Sequence, residues 1–499
     1  MTARERDWRF GMSIATREQA VVDEVEKRLY IGGEWRDAAG AETLAVEDPA
    51  TGEALCEVAD ASPADATAAL DATVAAQPEW AATPPNRRSE ILWHAFEMLN
   101  KRADDLALLM TLEMGKTVAE SKAEIAYSAE FFRWFSGEAL RVDGYYKVAG
   151  NAASRVLVMR QPVGPCFFIT PWNFPTAMGT RKIGPAIAAG CAMVIKPAQL
   201  TPLSMIALAQ ILEECGLPGG VLNVITSSSS SAVAKPIIGD PRLRKLSFTG
   251  STEVGRKLIA QAADNVLNVS MELGGNAPFL IFDDADLDAA IEGAMVAKMR
   301  NIGEACTSAN RFHVASGLAN EFANRLAERM GKLRIGRGTE EGVDVGPLVD
   351  EDQRSKVAEL VDDAVGKGAK AIVGGSAVDG TGYFYEPTVL GGVPSDARAL
   401  KEEIFGPVAP VASFDSEEEA VAAANDTEYG LVAYVFTRDL KRALRVCEGL
   451  ETGMIGLNQG MVSNAGAPFG GVKQSGIGRE GGNEGIEEYL ETKYVAVNL

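Results

Sequence analysis

The sequence predicts an α/β protein with parallel sheets, and three observations carry that prediction. Between residues 166 and 271 five short apolar runs are each followed by a polar turn and a helical pattern, the alternation that builds a parallel sheet. A helical block, residues 62–140, precedes them, and a second alternating block runs over about 278–458.

The first twenty residues are polar with no clear period, and Met12 is an alternative start, so ordered structure is expected to begin near Leu29. Ser62-Pro63-Ala64-Asp65 supplies an N-cap, a first-turn proline and an acidic third position, which open a helix. Further helices are expected over 88–102 and 117–140. The five strands of the sheet fall at 166–170, 192–195, 221–225, 245–248 and 268–271. Thr201-Pro202 is expected to cap and open a helix that Gly216 and Pro218 close. In the second block the pattern gives helices over 285–299, 353–367 and 416–425 and a strand at 371–373. Beyond Gly460 the chain is glycine-rich, and it ends in an alternating stretch, 489–499.

With 499 residues, the chain is long enough for about three compact units. Apolar residues at 46% and charged residues at 23% are ordinary for a globular protein. The 51 glycines are many, which implies numerous tight backbone positions. A formal charge of −21 opposes nucleic acid or an anionic membrane as partner. The two histidines, His94 and His313, exclude a His-rich metal site, and no metal is expected. Six cysteines without a CxxC pair suit a reducing compartment. The charged N-terminus does not resemble a secretory leader, and the longest apolar stretch, 183–195, is too short to span a bilayer. These features predict a soluble, cytoplasmic protein.

Three segments hold candidate chemistry. Asn301-Ile302-Gly303-Glu304-Ala305-Cys306 sets a cysteine after a turn and not within an apolar face. Met271-Glu272-Leu273-Gly274-Gly275-Asn276 leaves a carboxylate at a strand's C-terminal end, where open α/β sheets bind ligands. Thr170-Pro171-Trp172-Asn173-Phe174-Pro175 holds a side-chain amide in a rigid turn, able to donate to a developing oxyanion. Together they supply thiol, base and oxyanion donor without histidine. Phe248-Thr249-Gly250-Ser251-Thr252-Glu253-Val254-Gly255 follows a strand and opens a helix, a phosphate-receiving arrangement. Its spacing is not GxGxxG, and Arg256-Lys257-Leu258 lacks the lysine and hydroxyl of a triphosphatase loop.

These segments resemble the aldehyde dehydrogenase superfamily from about residue 30 onward. Seven motifs occur in order: PWNFP at 171–175, IKPAQLTP at 195–202, FTGSTEVG at 248–255, MELGGNAP at 271–278, NIGEAC at 301–306, EEIFGPV at 402–408 and PFGGVKQSGIGRE at 468–480. The resemblance implies a Rossmann-like cofactor domain (29–140 and 162–273) behind an N-terminal extension (1–28). It further implies an α/β catalytic domain (274–460), a β oligomerisation arm (141–161 and 484–499), and a segment (461–483) returning to the active site. A homodimer or homotetramer is expected. It also implies that Cys306 is the nucleophile, Glu272 the base, and Asn173 with the Cys306 N–H the oxyanion hole. Lys196, Glu403 and Phe405 would meet the cofactor riboses and Ser251 the pyrophosphate, with Pro171, Trp172, Gly250, Gly255 and Leu273 in the same cleft. Lys182 and Glu480 match positions linked to proton relay or support.

Arg181, Arg300 and Ser463 match the carboxylate-binding positions of the succinate-semialdehyde branch of that superfamily, so the expected substrate is a small semialdehyde acid. Glutarate semialdehyde differs by one methylene, too little for sequence to discriminate. Gln199 stands where NAD-preferring relatives carry a glutamate that repels a 2′-phosphate, and Ser227 replaces a common glycine. NADP is therefore the expected cofactor, with NAD tolerated. Ser308 stands where some relatives carry a second cysteine, which excludes that disulfide.

Overall fold

The computed structural model describes residues 14–498; Met12 lies outside the described residues. An eight-stranded sheet runs in spatial order through Gly476–Ile477, Asn268–Glu272, Lys245–Thr249, Cys166–Ile169, Met193–Lys196, Leu222–Val224, Leu29–Ile31 and Glu34–Arg36. The five strands from Asn268–Glu272 to Leu222–Val224 are parallel. Their residues are buried on both faces apart from a few part-buried ends, which explains the apolar runs at their centres. Phe168 and Ile195 enter one core with the helices Pro85–Lys101 and Val118–Glu138. Phe167, Val194 and Phe248 enter another on the opposite face.

Strand order decides where a ligand can sit. Cys166–Ile169 comes first in the chain and lies in the middle of the five; the next two strands extend the sheet one way and the last two the other. The crevice between Cys166–Ile169 and Lys245–Thr249 is thus a topological switch point, outside the carboxyl ends of the strands. The turns Thr170–Pro175 and Gly250–Ser251 leave those two ends.

A seven-stranded sheet follows, in the order Lys370–Val373, Thr388–Gly391, Val408–Phe414, Ala309–Ala315, Ala277–Ile281, Val432–Phe436 and Met454–Leu457, parallel except at its first pair. Tyr145–Val148, Ser154–Pro162 and Leu490–Asn498 form a separate antiparallel sheet, with Leu490 opposite Pro162 and Asn498 opposite Ser154. Among the described residues no helix is long and apolar enough to cross a membrane. The expected α/β class and parallel sheets are thus present.

Two expectations are corrected. Order does not begin near Leu29: a helix, Ile14–Asp23, buries Val21 and Val22 against Val46, Val58 and Leu109. Its few apolar residues gain meaning only from the surface they meet. Thr201-Pro202 does not cap the helix Leu203–Glu214 with a side chain. The Thr201 hydroxyl donates to Trp172 O, whereas the buried Glu113 carboxylate accepts from Leu203 N at 2.7 Å and Ser204 N at 2.8 Å. A carboxylate at a helix N-terminus satisfies two orphan donors and meets the positive end of the dipole.

Candidate active site

A cavity of about 200 Å³ opens at the switch point. Its walls bring together Pro171, Trp172, Asn173 and Arg181, Gly250 and Ser251, Glu272 and Leu273, and Cys306, Glu403 and Phe405. Residues from five separate segments of the expected site therefore share one space.

Cys306 is delivered by an unusual backbone. Asn301, Ile302 and Gly303 have φ of 56°, 61° and 80°, and a β-branched residue in this left-handed region is costly. Asn301 N donates to Glu120 Oε1 at 2.6 Å, and its Nδ2 reaches Asn173 O at 3.1 Å and Glu304 O at 2.9 Å. A Cβ on Gly303 would stand 2.2 Å from Gly406 O, so only glycine fits there. These contacts hold the strained turn and fix the thiol against the cavity.

Asn173 is held on both sides. Lys116 Nζ donates to its carbonyl at 2.8 Å and pairs with the buried Glu124 at 2.6 Å. Its Oδ1 accepts from Phe174 N, and its Nδ2 donates to Glu304 O at 2.9 Å. One hydrogen of that amide is spent, which leaves the other for the cavity.

Electrostatics set the resting protonation. Burial pushes the Cys306 thiol up to about 12, with Arg181 pulling the other way. Burial and then the Glu480 charge raise Glu272 well above the usual carboxylate range, against Arg181 and Lys182. Glu480 is shifted down: burial acts upward, but Lys182 and Arg181 overcome it. Lys182 Nζ lies 2.6 Å from Glu480 Oε1 and 2.8 Å from Ser247 Oγ. Glu272 and Glu480 are thus two acids that repel, and Glu480, beside the two cations, is the stronger of them.

Residues around the cavity also form a cradle for an extended ligand. Ser251 caps the helix Thr252–Ala263, whose first N–H groups point toward the crevice. A Cβ on Gly250 would stand 2.4 Å from the tip of the Phe248 ring and would have to displace it, whereas one on Gly274 would crowd Glu403 Oε2 at 3.2 Å. Glu403 accepts from Gly275 N at 3.0 Å, and Trp172 meets Phe405 edge-on at 5.3 Å. Gln353 and Lys356, which the sequence did not single out, also line this wall. Gln353 donates to Phe405 O at 2.7 Å.

Other expected residues lie outside this cavity. Gly255 sits a turn into its helix, where a Cβ would stand 2.4 Å from Leu273, so it brings helix and strand end together. Lys196 is buried at the end of its strand and donates to Pro197 O; burial lowers it to about 8 against the pull of Asp60. Gln199 is exposed. The Ser227 hydroxyl is buried and contacts Asp60 Oδ1 and Ala61 O, both at 3.1 Å, so it fixes its loop.

The two arginines differ. Arg181 is 2% exposed, 2.9 Å from Glu480 Oε2 and 3.9 Å over the Phe469 ring. Its guanidinium is already committed to an acid, although Nη2 has no hydrogen-bond partner. Arg300 has no carboxylate partner among the described residues. It lies in a neighbouring cavity of about 220 Å³, donating to Ser463 Oγ at 3.1 Å and standing 4.9 Å from the Phe174 ring. Tyr127 lines this cavity too, and the helical pattern around it gave no sign of that position. Among the described residues no cluster of side chains suits a metal ion.

The sequence model of the aldehyde dehydrogenase family matches residues 35–495, and the chain belongs to that family. It is 57% identical to a succinate-semialdehyde dehydrogenase of Paenarthrobacter nicotinovorans, over 89% of this chain and 98% of the relative. A glutarate-semialdehyde dehydrogenase of Pseudomonas putida is 49% identical over 95% and 98%. Among solved structures, an E. coli NADP-dependent enzyme superposes with a TM-score of 0.94 at 49% identity, covering 95% of this chain and 98% of the other.

Proposed function

We propose that the protein oxidises succinate semialdehyde to succinate with NADP, NAD being tolerated. The observation that carries the substrate is Arg300: a guanidinium with no acid partner, beside Ser463, in a cavity next to the cysteine. A fixed fork of donors recognises a carboxylate, and the unpaired charge offsets the repulsion of a chain at −21. The names of the relatives above support this class, and the P. putida enzyme keeps glutarate semialdehyde as the rival. An exposed Gln199, where a carboxylate would repel a 2′-phosphate, supports NADP.

In this reading Cys306 Sγ gives its proton to solvent and adds, as the thiolate, to the aldehyde carbon. Asn173 Nδ2 and the Cys306 N–H donate to the oxygen that becomes negative. A bound nicotinamide supplies the hydride acceptor; Glu403, Phe405 and Ser251 are placed to hold its ribose and pyrophosphate. The acyl group then sits on Sγ as a thioester. Glu272 takes a proton from water, the hydroxide adds to the thioester carbon, and collapse releases the acid and Sγ. Glu480, beside Lys182, raises the basicity of Glu272 for that transfer.

The remaining readings concern assembly and location. The sheet Tyr145–Val148, Ser154–Pro162 and Leu490–Asn498 exposes Tyr145, Tyr146, Val148 and Tyr494, apolar surface that supports a homodimer or homotetramer. The three largest sheets support the division into cofactor domain, catalytic domain and arm, and six free cysteines support a cytoplasmic location.

Steady-state kinetics with succinate semialdehyde, glutarate semialdehyde and butyraldehyde, each with NADP and NAD, tests the proposal. A clear preference for the acids is expected, lost in Arg300→Gln. Equal use of butyraldehyde overturns the substrate reading, and a tenfold or greater advantage for NAD overturns the cofactor reading.

A further inference from the structure

The helix Val118–Glu138 presents Glu120, Glu124 and Tyr127, at i, i+4 and i+7, to the cavity that holds Arg300. Both acids are spent. Glu124 Oε1 accepts from Thr176 N and Ala177 N, and its Oε2 takes Lys116 at 2.6 Å. Glu120 accepts from Asn301 N and Thr117 N. The negative charge in the wall is therefore compensated by the protein itself.

Tyr127 is different. Its ring packs edge-on against Phe131 at 4.9 Å and lies 5.9 Å from the Arg300 guanidinium. Its hydroxyl is buried beside Ser463 yet has no hydrogen-bond partner of good geometry among the described residues. Buried hydroxyls are normally satisfied. Arg300 and Arg181 both bear electrostatically on this group, so an anion arriving here meets a hydroxyl with a hydrogen to give.

We propose that the Tyr127 hydroxyl is a specificity-determining donor to the remote carboxylate of the substrate, acting with Arg300 and Ser463. This rests on the semialdehyde-acid reading above and deepens it. The rigid ring sets the hydroxyl at a fixed depth, so Tyr127 selects an acid whose carboxylate reaches it while the aldehyde is at Cys306. An uncharged aldehyde gains nothing from it.

Tyr127→Phe removes the hydroxyl and keeps the ring on Phe131, so the fold should persist, which its melting temperature checks. KM for succinate semialdehyde is expected to rise about tenfold, the worth of one hydrogen bond to a charged group. Its kcat, and all constants for butyraldehyde and NADP, should stay within about twofold. Succinate should also weaken about tenfold as a product inhibitor. A wild-type preference for the acid that survives unchanged in Y127F overturns this inference alone, as does a parallel rise in KM for both aldehydes. A wild-type enzyme without that preference overturns the substrate reading itself.

Discussion

The Nδ2 of Asn173 donates to the carbonyl of Glu304, two residues before Cys306, at 2.9 Å. That bond ties the amide to the strained turn carrying the thiol, so the positions of amide and thiol are coupled. Asn173→Ala should lower kcat about 10²–10³-fold, roughly 2.7–4 kcal/mol. Stopped-flow measurement of hydride transfer checks this, and a loss confined to KM would count against the oxyanion role.

The two chemical steps should separate by mutation. Cys306→Ala should abolish reduced-cofactor formation. Glu272→Gln should retain a first turnover and then slow steady hydrolysis by about 10²–10⁴-fold. A pre-steady-state burst near one equivalent is the expected signature; equal slowing of burst and steady state would argue that Glu272 is not the hydrolytic base.

The Glu272–Glu480 repulsion gives a signed pH prediction. Glu272 is raised by burial and then by the charge of Glu480, and it must be unprotonated to act. Activity should therefore rise with pH through its elevated value. Glu480→Gln removes the repelling charge and leaves Lys182 and Arg181 less compensated, both of which favour the carboxylate. The acid limb of the kcat profile should move down by on the order of one pH unit. An unmoved limb would mean that another group titrates.

Stability should respond at Glu113. Glu113→Ala leaves the N–H groups of Leu203 and Ser204 buried without acceptors, and at ~1–3 kcal/mol for each unsatisfied donor the cost should be about 2–6 kcal/mol. Urea unfolding followed by fluorescence measures it. A change below half a kcal/mol would show that water replaces the carboxylate.

His313 supplies a test away from the site. Burial, aided by Arg311, lowers it to about 3, whereas an unfolded histidine titrates near 6.5. As pH falls below 6.5 the unfolded chain takes up a proton that the folded chain refuses, so stability is lost at about 1.4 kcal/mol per unit. Between pH 6.5 and 5 wild type should lose about 2 kcal/mol more than His313→Gln. Parallel losses in the two proteins would contradict it.

Much of this architecture was legible in the sequence because local rules and global packing agree. The run expected at 245–248 is the strand Lys245–Thr249, and that at 268–271 is Asn268–Glu272, because each keeps apolar residues (Leu246 and Phe248, Val269 and Met271) between the turns that bound it. The thiol, carboxylate and amide segments were readable because each combines a special turn with one reactive group. What stayed hidden depends on partners distant in sequence. The Leu203–Glu214 cap comes from Glu113, and the commitment of Arg181 to Glu480 closes across most of the chain. Tyr127 reads as one more aromatic on a helical face, since nothing local reveals that its hydroxyl lies beside Ser463 and Arg300.

The short strand Gly476–Ile477 pairs with Met271 and Glu272 at the edge of the large sheet, and Phe469, Glu480 and Ser463 come from the same late segment. During synthesis, a chain still held near residue 460 carries Cys306 and Glu272 but neither the edge strand that pairs with Glu272 nor the Glu480 carboxylate beside it. The site is therefore complete only when that late segment docks.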